Sequence, residues 1–192
     1  MPKLWEDTIE VHRSAVRTVI LDQTAALAME HGLASVTMSQ IAAAAGIGRA
    51  TLYKYFPDVD SILLAWHEQQ LNAHLAQLQQ ARDREQGAAA QLQVVLEAFA
   101  HIARGAHGHQ GTDLGAFLHG DDHVARAQQE LRDLISELLA RGAEVGEIRS
   151  DVYSDELADY CIHALGAAGR MKSKAAVDRL VDVTMAGLRP DR

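Results

Sequence analysis

Arg49, Thr51, Tyr53, Lys54 and Tyr55 fall within a run of seven residues that follows Gly48 and also holds the small Ala50. A guanidinium can give two parallel N–H bonds to the O6 and N7 of guanine, and a threonine can meet a thymine methyl or a phosphate. Tyrosine and lysine end in donors suited to phosphate oxygens, which fix register on a duplex without reading its sequence. Small side chains at 48 and 50 let the backbone come close to base edges. This is the chemistry of a reader of the DNA major groove. Just upstream, Thr37 and Ser39 stand where a short helix can turn its free backbone N–H groups toward a further phosphate.

Such side chains need a frame. Thr37-Met38-Ser39-Gln40 is a capping box, with Thr37 as N-cap and Gln40 reaching back. Ile41 and the following alanines give that short helix an inner face, and Gly46 breaks it at a position expected to need a positive φ. A second short helix is expected from about Gly48 to Tyr55, with Leu52 and Phe56 inward and Pro57 as its stop. A longer helix over Thr8–His31 precedes both, with Val11, Ala15, Val19 and Ala26 as its apolar stripe and Gly32 as its end. Two short helices joined by a glycine-containing turn and packed on a third make a helix-turn-helix, whose second short helix enters the major groove.

Beyond Pro57 the apolar residues keep recurring at three- and four-residue spacing, so the fold class is all-α. Asp58 caps a long helix expected over Val59–Glu85, with contacts from Ile62, Leu63, Trp66, Leu71, Leu75 and Leu78. Further helices are expected at 88–104, 113–119, 122–141, 154–171 and 174–187, with Ser154 and Ser173 as N-terminal signals. The domain division read from this pattern is a helix-turn-helix domain at 1–57 and a helical effector-binding and dimerisation domain at 58–192.

Composition narrows the function classes. The chain has 192 residues, 48% hydrophobic and 23% charged, which is globular rather than disordered. Its net charge of −8 argues against a general polyanion binder. Cys161 is the single cysteine, so no intrachain disulfide forms and a reducing cytoplasm is the simpler expectation. The N-terminal run "MPKLWEDTIE" has acids where a signal peptide would have an apolar core, so no signal peptide is expected. The uncharged stretch His31–Gly48 carries Ser, Thr, Gln and Gly, and no membrane span is expected. No phosphate-cradling glycine loop follows a strand and no Gly-x-Ser-x-Gly elbow occurs, so neither an enzyme nor a cofactor is expected.

The run Val36-Thr37-Met38, Ile41-Ala42, Ala45-Gly46-Ile47 and Arg49-Ala50-Thr51-Leu52-Tyr53-Lys54-Tyr55-Phe56-Pro57 resembles the tetracycline-repressor (TetR) family of bacterial transcription regulators. The resemblance covers about residues 10–65, and beyond them only the general plan agrees. It implies a ligand-responsive regulator, most simply a repressor, that binds double-stranded operator DNA as a dimer and carries a pocket and a two-helix dimer face in its C-terminal domain. The family often has a lysine near the start of the fourth helix, whereas this chain has Asp58-Val59-Asp60. Residues 1–60 hold five Lys and Arg against seven Asp and Glu, a poor balance for a lone DNA-binding domain and an argument for dimerisation.

The homodimer is expected through residues 154–187, where Leu157, Cys161, Leu165, Val177, Leu180 and Val181 accompany the small Gly166 and Gly169. A small, partly apolar effector is expected among the later helices, with Trp66, His67, Phe99, Ile102, Phe117, Leu118, Leu138 and His163 as candidate contacts. Arg13 and Arg17, one turn apart on the first helix, fit either phosphate contact or a solvated face. His101, His107, His109, His119 and His123, with Asp113, Asp121 and Asp122 among them, leave an alternative: a helical ligand-binding or zinc-responsive protein without operator-specific DNA binding.

Overall fold

The structure is a computed structural model that describes residues 3–106 and 122–190. The described residues form eight α-helices and no strand. These are α1 (Lys3–His31), α2 (Met38–Ala44), α3 (Arg49–Tyr55), α4 (Val59–Asp83), α5 (Ala88–Ala106), α6 (Asp122–Glu144), α7 (Ser154–Gly166) and α8 (Lys174–Gly187). The helix expected at 113–119 lies outside the described residues. Two compact units emerge: a head that takes in α1–α3 and α4 as far as Gln70, and a body that begins at Leu71.

In the head, α1 buries Ile20, Leu21, Thr24, Ala25 and Ala28 against Ile41 of α2, Leu52 and Phe56 at α3, and Ile62 and Leu63 of α4. This corrects the expected stripe: Val11, Ala15, Val19 and Ala26 are exposed. At about 100° per residue α1 carries two apolar arcs, and the arc holding the larger Ile20 and Leu21 removes more apolar area from water. Thr24 is wholly buried, and its hydroxyl donates to the Ile20 carbonyl at 2.7 Å, so its own polar group is not orphaned. The helix also begins at Lys3 rather than Thr8. It ends as expected at Gly32, with φ +81°.

The body has its own core, built from Leu75 and Leu78 of α4, Leu92 and Leu96 of α5, Ile135, Leu138 and Leu139 of α6, Cys161 and Leu165 of α7, and Val177 and Val181 of α8. The 154–171 helix is interrupted: α7 stops at Gly166 and a 3₁₀ turn continues over Ala167–Arg170. Tyr153, not Ser154, takes the N-cap position of α7; the Ser154 hydroxyl lies 3.1 Å from that of Ser136 on α6. Ser173 does cap α8, accepting from the Ala176 N–H at 3.2 Å.

Gly142 near the end of α6 lets the following turn fold back. Its carbonyl accepts from the N–H groups of Glu147 and Ile148, at 2.9 and 3.1 Å. A Cβ there would be driven into the side chain of Ile148, which is 3% exposed.

Candidate nucleic-acid interface

The head sets α3 through local bonds that the sequence spells out. The Thr37 hydroxyl accepts from the Gln40 N–H at 3.3 Å, and Gln40 Oε1 accepts from the Thr37 N–H at 2.8 Å, completing the capping box of α2. The same hydroxyl lies 2.7 Å from Gln40 Oε1, so Thr37 is already committed to the cap, while Ser39 is exposed. At the other end of α2, Gly46 takes φ +66°. Its N–H bonds to Ala43 O at 3.2 Å, and the Ile47 N–H bonds to Ala42 O at 3.0 Å. That pair of bonds is a Schellman ending, which reverses the chain and fixes the angle at which α3 leaves.

Gly48 then N-caps α3 without a side-chain bond, and its carbonyl accepts from Thr51 and Leu52. Its φ of −71° suits any residue, so glycine is not required here by backbone conformation. Leu52 is fully buried and Phe56 nearly so, which turns the remaining α3 residues outward. Arg49, Ala50, Thr51 and Lys54 are exposed, and the Tyr53 side is 48% exposed. Tyr55 differs from the others in the proposed set: it is half-buried and packs against the head core. Neither Arg49 nor Lys54 has an ion pair among the described residues, and α3 contains no acid.

The start of α4 follows its expected cap, with the Ser61 N–H donating to Asp58 Oδ1 at 2.8 Å. Trp66, however, packs against the head core beside Leu64 and Ala65, which takes it out of any pocket formed by the body alone.

In the body, Phe99 and Ile102 are half-buried and pack at the edge of the core to which the wholly buried Leu138 belongs. His67 is half-buried on the head part of α4. His163 is exposed on α7, its Nδ1 2.7 Å from the Asp159 carbonyl, and so faces away from that core. Phe117 and Leu118 lie outside the described residues, as do His107, His109, His119, Asp113 and Asp121. His101 has its Nε2 3.1 Å from Asp178 Oδ1 across α5 and α8. Among the described residues no three His, Cys, Asp or Glu gather as a metal ion needs.

Other polar groups of the body hold its helices together. Arg132 of α6 forks onto Asp159 of α7 at 2.7 and 3.0 Å, and this hydrogen bond holds the Asp159 carboxyl below its ordinary pKa. Arg149 forks onto Asp151 and also donates to the Gly187 carbonyl at 3.1 Å. Burial lowers the pKa of His74 on α4 and pushes the Cys161 thiol up to about 12, so that thiol is un-ionised and inert near neutrality.

The family model for bacterial regulatory proteins of the tetR family matches residues 20–66, the span from Ile20 to Trp66 that builds the head core. A second, for the C-terminal domain of SbtR-like transcriptional regulators, matches residues 96–190. Together they cover well over half of the chain. The chain belongs to the TetR family. It is therefore a transcription regulator of the helix-turn-helix, DNA-binding class, and members of that class are regulators rather than enzymes.

Solved structures agree with this placement. The TetR transcriptional regulator SCO0520 from Streptomyces coelicolor is 25% identical, with a TM-score of 0.63 over 92% of this chain and 99% of that one. A TetR/AcrR-family regulator from Thermobifida fusca has a TM-score of 0.73 at 16% identity over 90% and 98%. FadR from Bacillus subtilis, solved in complex with stearoyl-CoA, has a TM-score of 0.67 at 16% identity over 90% and 99%. Comparison with curated proteins gives no match. Among the described residues no helix is long and apolar enough to cross a membrane.

One contact of this TetR-family head went unread in the sequence. The guanidinium carbon of Arg17 lies 5.3 Å from the centroid of the Phe56 ring. The signal was present: Arg17 stands three and four residues before Ile20 and Leu21, hence on the buried side of α1. Taking Val11, Ala15 and Val19 as the inner stripe hid it.

Proposed function

We propose that the protein is a homodimeric cytoplasmic repressor that binds a pseudo-palindromic operator and leaves it when a small, partly apolar effector binds. The observation that carries this reading is the exposed set on α3: Arg49 and Lys54, without an ion pair among the described residues, beside Tyr53 at 48% exposure, over the buried Leu52 and Phe56. Arg49 reads a base edge, Thr51 meets a base or a phosphate, and Tyr53 and Lys54 hold the backbone. Gly48 and Ala50 keep the leading end narrow, Ser39 offers a hydroxyl from α2, Thr37 orders that end, and Tyr55 seats α3 on its core.

The dimer forms through residues 154–187. Tyr160 on α7 and Val183 on α8 are 45% and 66% exposed, large for apolar side chains without a partner. Two copies then present their α3 helices to half-sites about 34–36 Å apart or a multiple of it. The effector lies in the body, with Phe99, Ile102 and Leu138 as its wall; the family precedent for an apolar ligand is FadR with stearoyl-CoA. Its binding shifts α4, which supplies residues to both cores. It must favour the non-binding arrangement by a few kcal/mol, because equal affinity for both arrangements shifts nothing.

The test is enrichment of the full chain on a random-sequence duplex pool, followed by sedimentation and a thermal-shift screen of small molecules. A palindromic consensus, a dimer at micromolar concentration and a stabilising compound that releases the duplex are expected. A monomer, or a stabilising compound that leaves DNA affinity unchanged, contradicts the dimer and the induction respectively.

A further inference from the structure

Residues 1–60 hold more acids than cations, and α4 opens on Asp58 and Asp60. Arg17 lies on another helix, in the part of α1 that precedes the family match at residue 20. It is exposed, yet its guanidinium carbon stands 5.3 Å from the centre of the Phe56 ring. Phe56 is the residue that closes α3: its N–H bonds to the Leu52 carbonyl at 3.0 Å, and it follows Lys54 and Tyr55 directly. The contact therefore fixes a cation of α1 at the C-terminal end of α3.

A guanidinium near a ring face gains from the ring's electrostatics and keeps donors available to an oxygen ligand. Arg17 has no ion pair among the described residues, so a phosphate would not have to displace a carboxylate. A side chain already held on Phe56 loses less freedom when it is captured. Arg13, one turn earlier on the same side of α1, is exposed and also has no ion pair among the described residues.

We infer that Arg17, held on Phe56, is a DNA-phosphate contact outside the helix-turn-helix, and that Arg13 extends the same cationic track. The inference rests on the operator-binding reading above. It supplies from α1 the backbone cation that the start of α4 lacks. The competing role is a purely structural tie between α1 and the end of α3.

Fluorescence anisotropy of the full chain separates the two. Wild type, Arg17→Met, Arg17→Lys and Arg13→Gln are titrated against an enriched duplex and an unrelated one over a range of salt, and each Tm is recorded. Methionine can still pack on Phe56 but carries no charge. Arg17→Met is expected to weaken both duplexes about tenfold, to flatten the plot of log K against log salt by about one per protomer, and to keep its Tm. Arg17→Lys should restore the slope, and Arg13→Gln should flatten it with no change in Tm. A slope unchanged in Arg17→Met while Tm falls overturns the inference and leaves the structural tie. If Arg17→Met does not fold, an unchanged slope in Arg13→Gln overturns the track. A wild type that binds no duplex overturns the operator reading and this inference together.

Discussion

Arg49 and Lys54 in the head have no ion pair among the described residues, whereas Arg132 in the body grips Asp159 with two bonds and Arg149 grips Asp151. The body uses arginine to tie α6 to α7 and the α6–α7 connection to the end of α8. On the operator-binding reading proposed above, the head leaves Arg49 and Lys54 to the DNA. Net charge hides this difference: a chain at −8 still offers DNA a usable face, because what counts at a phosphate is whether the local cation is already spoken for.

The comparison can be broken most forcefully through the two cores. Leu52 in the head and Leu138 in the body are both fully buried. Leu→Ala at either site is expected to cost about 2–5 kcal/mol in urea unfolding followed by circular dichroism. Leu52→Ala should abolish duplex binding while sparing body stability, whereas Leu138→Ala should lower body stability and weaken duplex binding only as far as the dimer is lost. If both variants unfold the whole chain in one identical transition, the head and body are a single cooperative unit.

Two glycines sharpen the contrast at about 1 kcal/mol. Gly46 in the head is needed for its conformation: φ is +66° and nothing lies within 4 Å of an added Cβ. Gly46→Ala is expected to cost about 1 kcal/mol, and Gly46→Asn less, because asparagine tolerates the left-handed region. Gly142 in the body is needed for space. Gly142→Ala gains helix propensity but overpacks Ile148, for a net loss of about 1 kcal/mol that Ile148→Ala, which removes the clashing γ carbon, should partly relieve and Ile148→Val, which keeps it, should not. Equal responses of the two glycines to Asn and Ala would contradict this division.

The smallest effect is pH dependence in the body. Burial lowers the His74 pKa below its ordinary value of 6.5, so the unfolded chain takes the proton first. The stability that neutral His74 contributes is intact above about pH 6.5 and is lost as pH falls through that value toward the folded one. Asp159 and Asp151, held low by Arg132 and Arg149, act in the same direction. Their contribution is present above the ordinary carboxylate value of 3.8 and is lost as pH falls through their lower folded values. Urea midpoints should decline from pH 7 to pH 5 in the wild type and less steeply in His74→Gln. A steeper decline in that variant would reverse the sign assigned to His74.

The head was legible because its signals are local. A capping box, a glycine in the left-handed region and the spacing of Leu52 and Phe56 each state their structure within a few residues. Where the head was misread, the deciding contact was distant. Which arc of α1 faces inward depends on α2, α3 and α4, and Arg17 meets Phe56 only through the fold. Trp66 packs with the head core because α4 serves two cores without a break in its sequence, Ile62 and Leu63 going to one, Leu75 and Leu78 to the other. In the body, residue type does not separate a core side chain from a pocket wall. His163 is exposed on α7, outside the body core.

The central claim is that α3 reads operator sequence and that Arg49 does part of the reading. Parallel enrichment of wild type and Arg49→Ala on one random-sequence duplex pool tests it most directly. The wild type should yield a two-fold symmetric consensus with a guanine in each half-site. Arg49→Ala should keep the rest of that consensus while losing about 1–3 kcal/mol of preference at this one symmetric pair of positions. An Arg49→Ala consensus identical to the wild type at every position would contradict the claim.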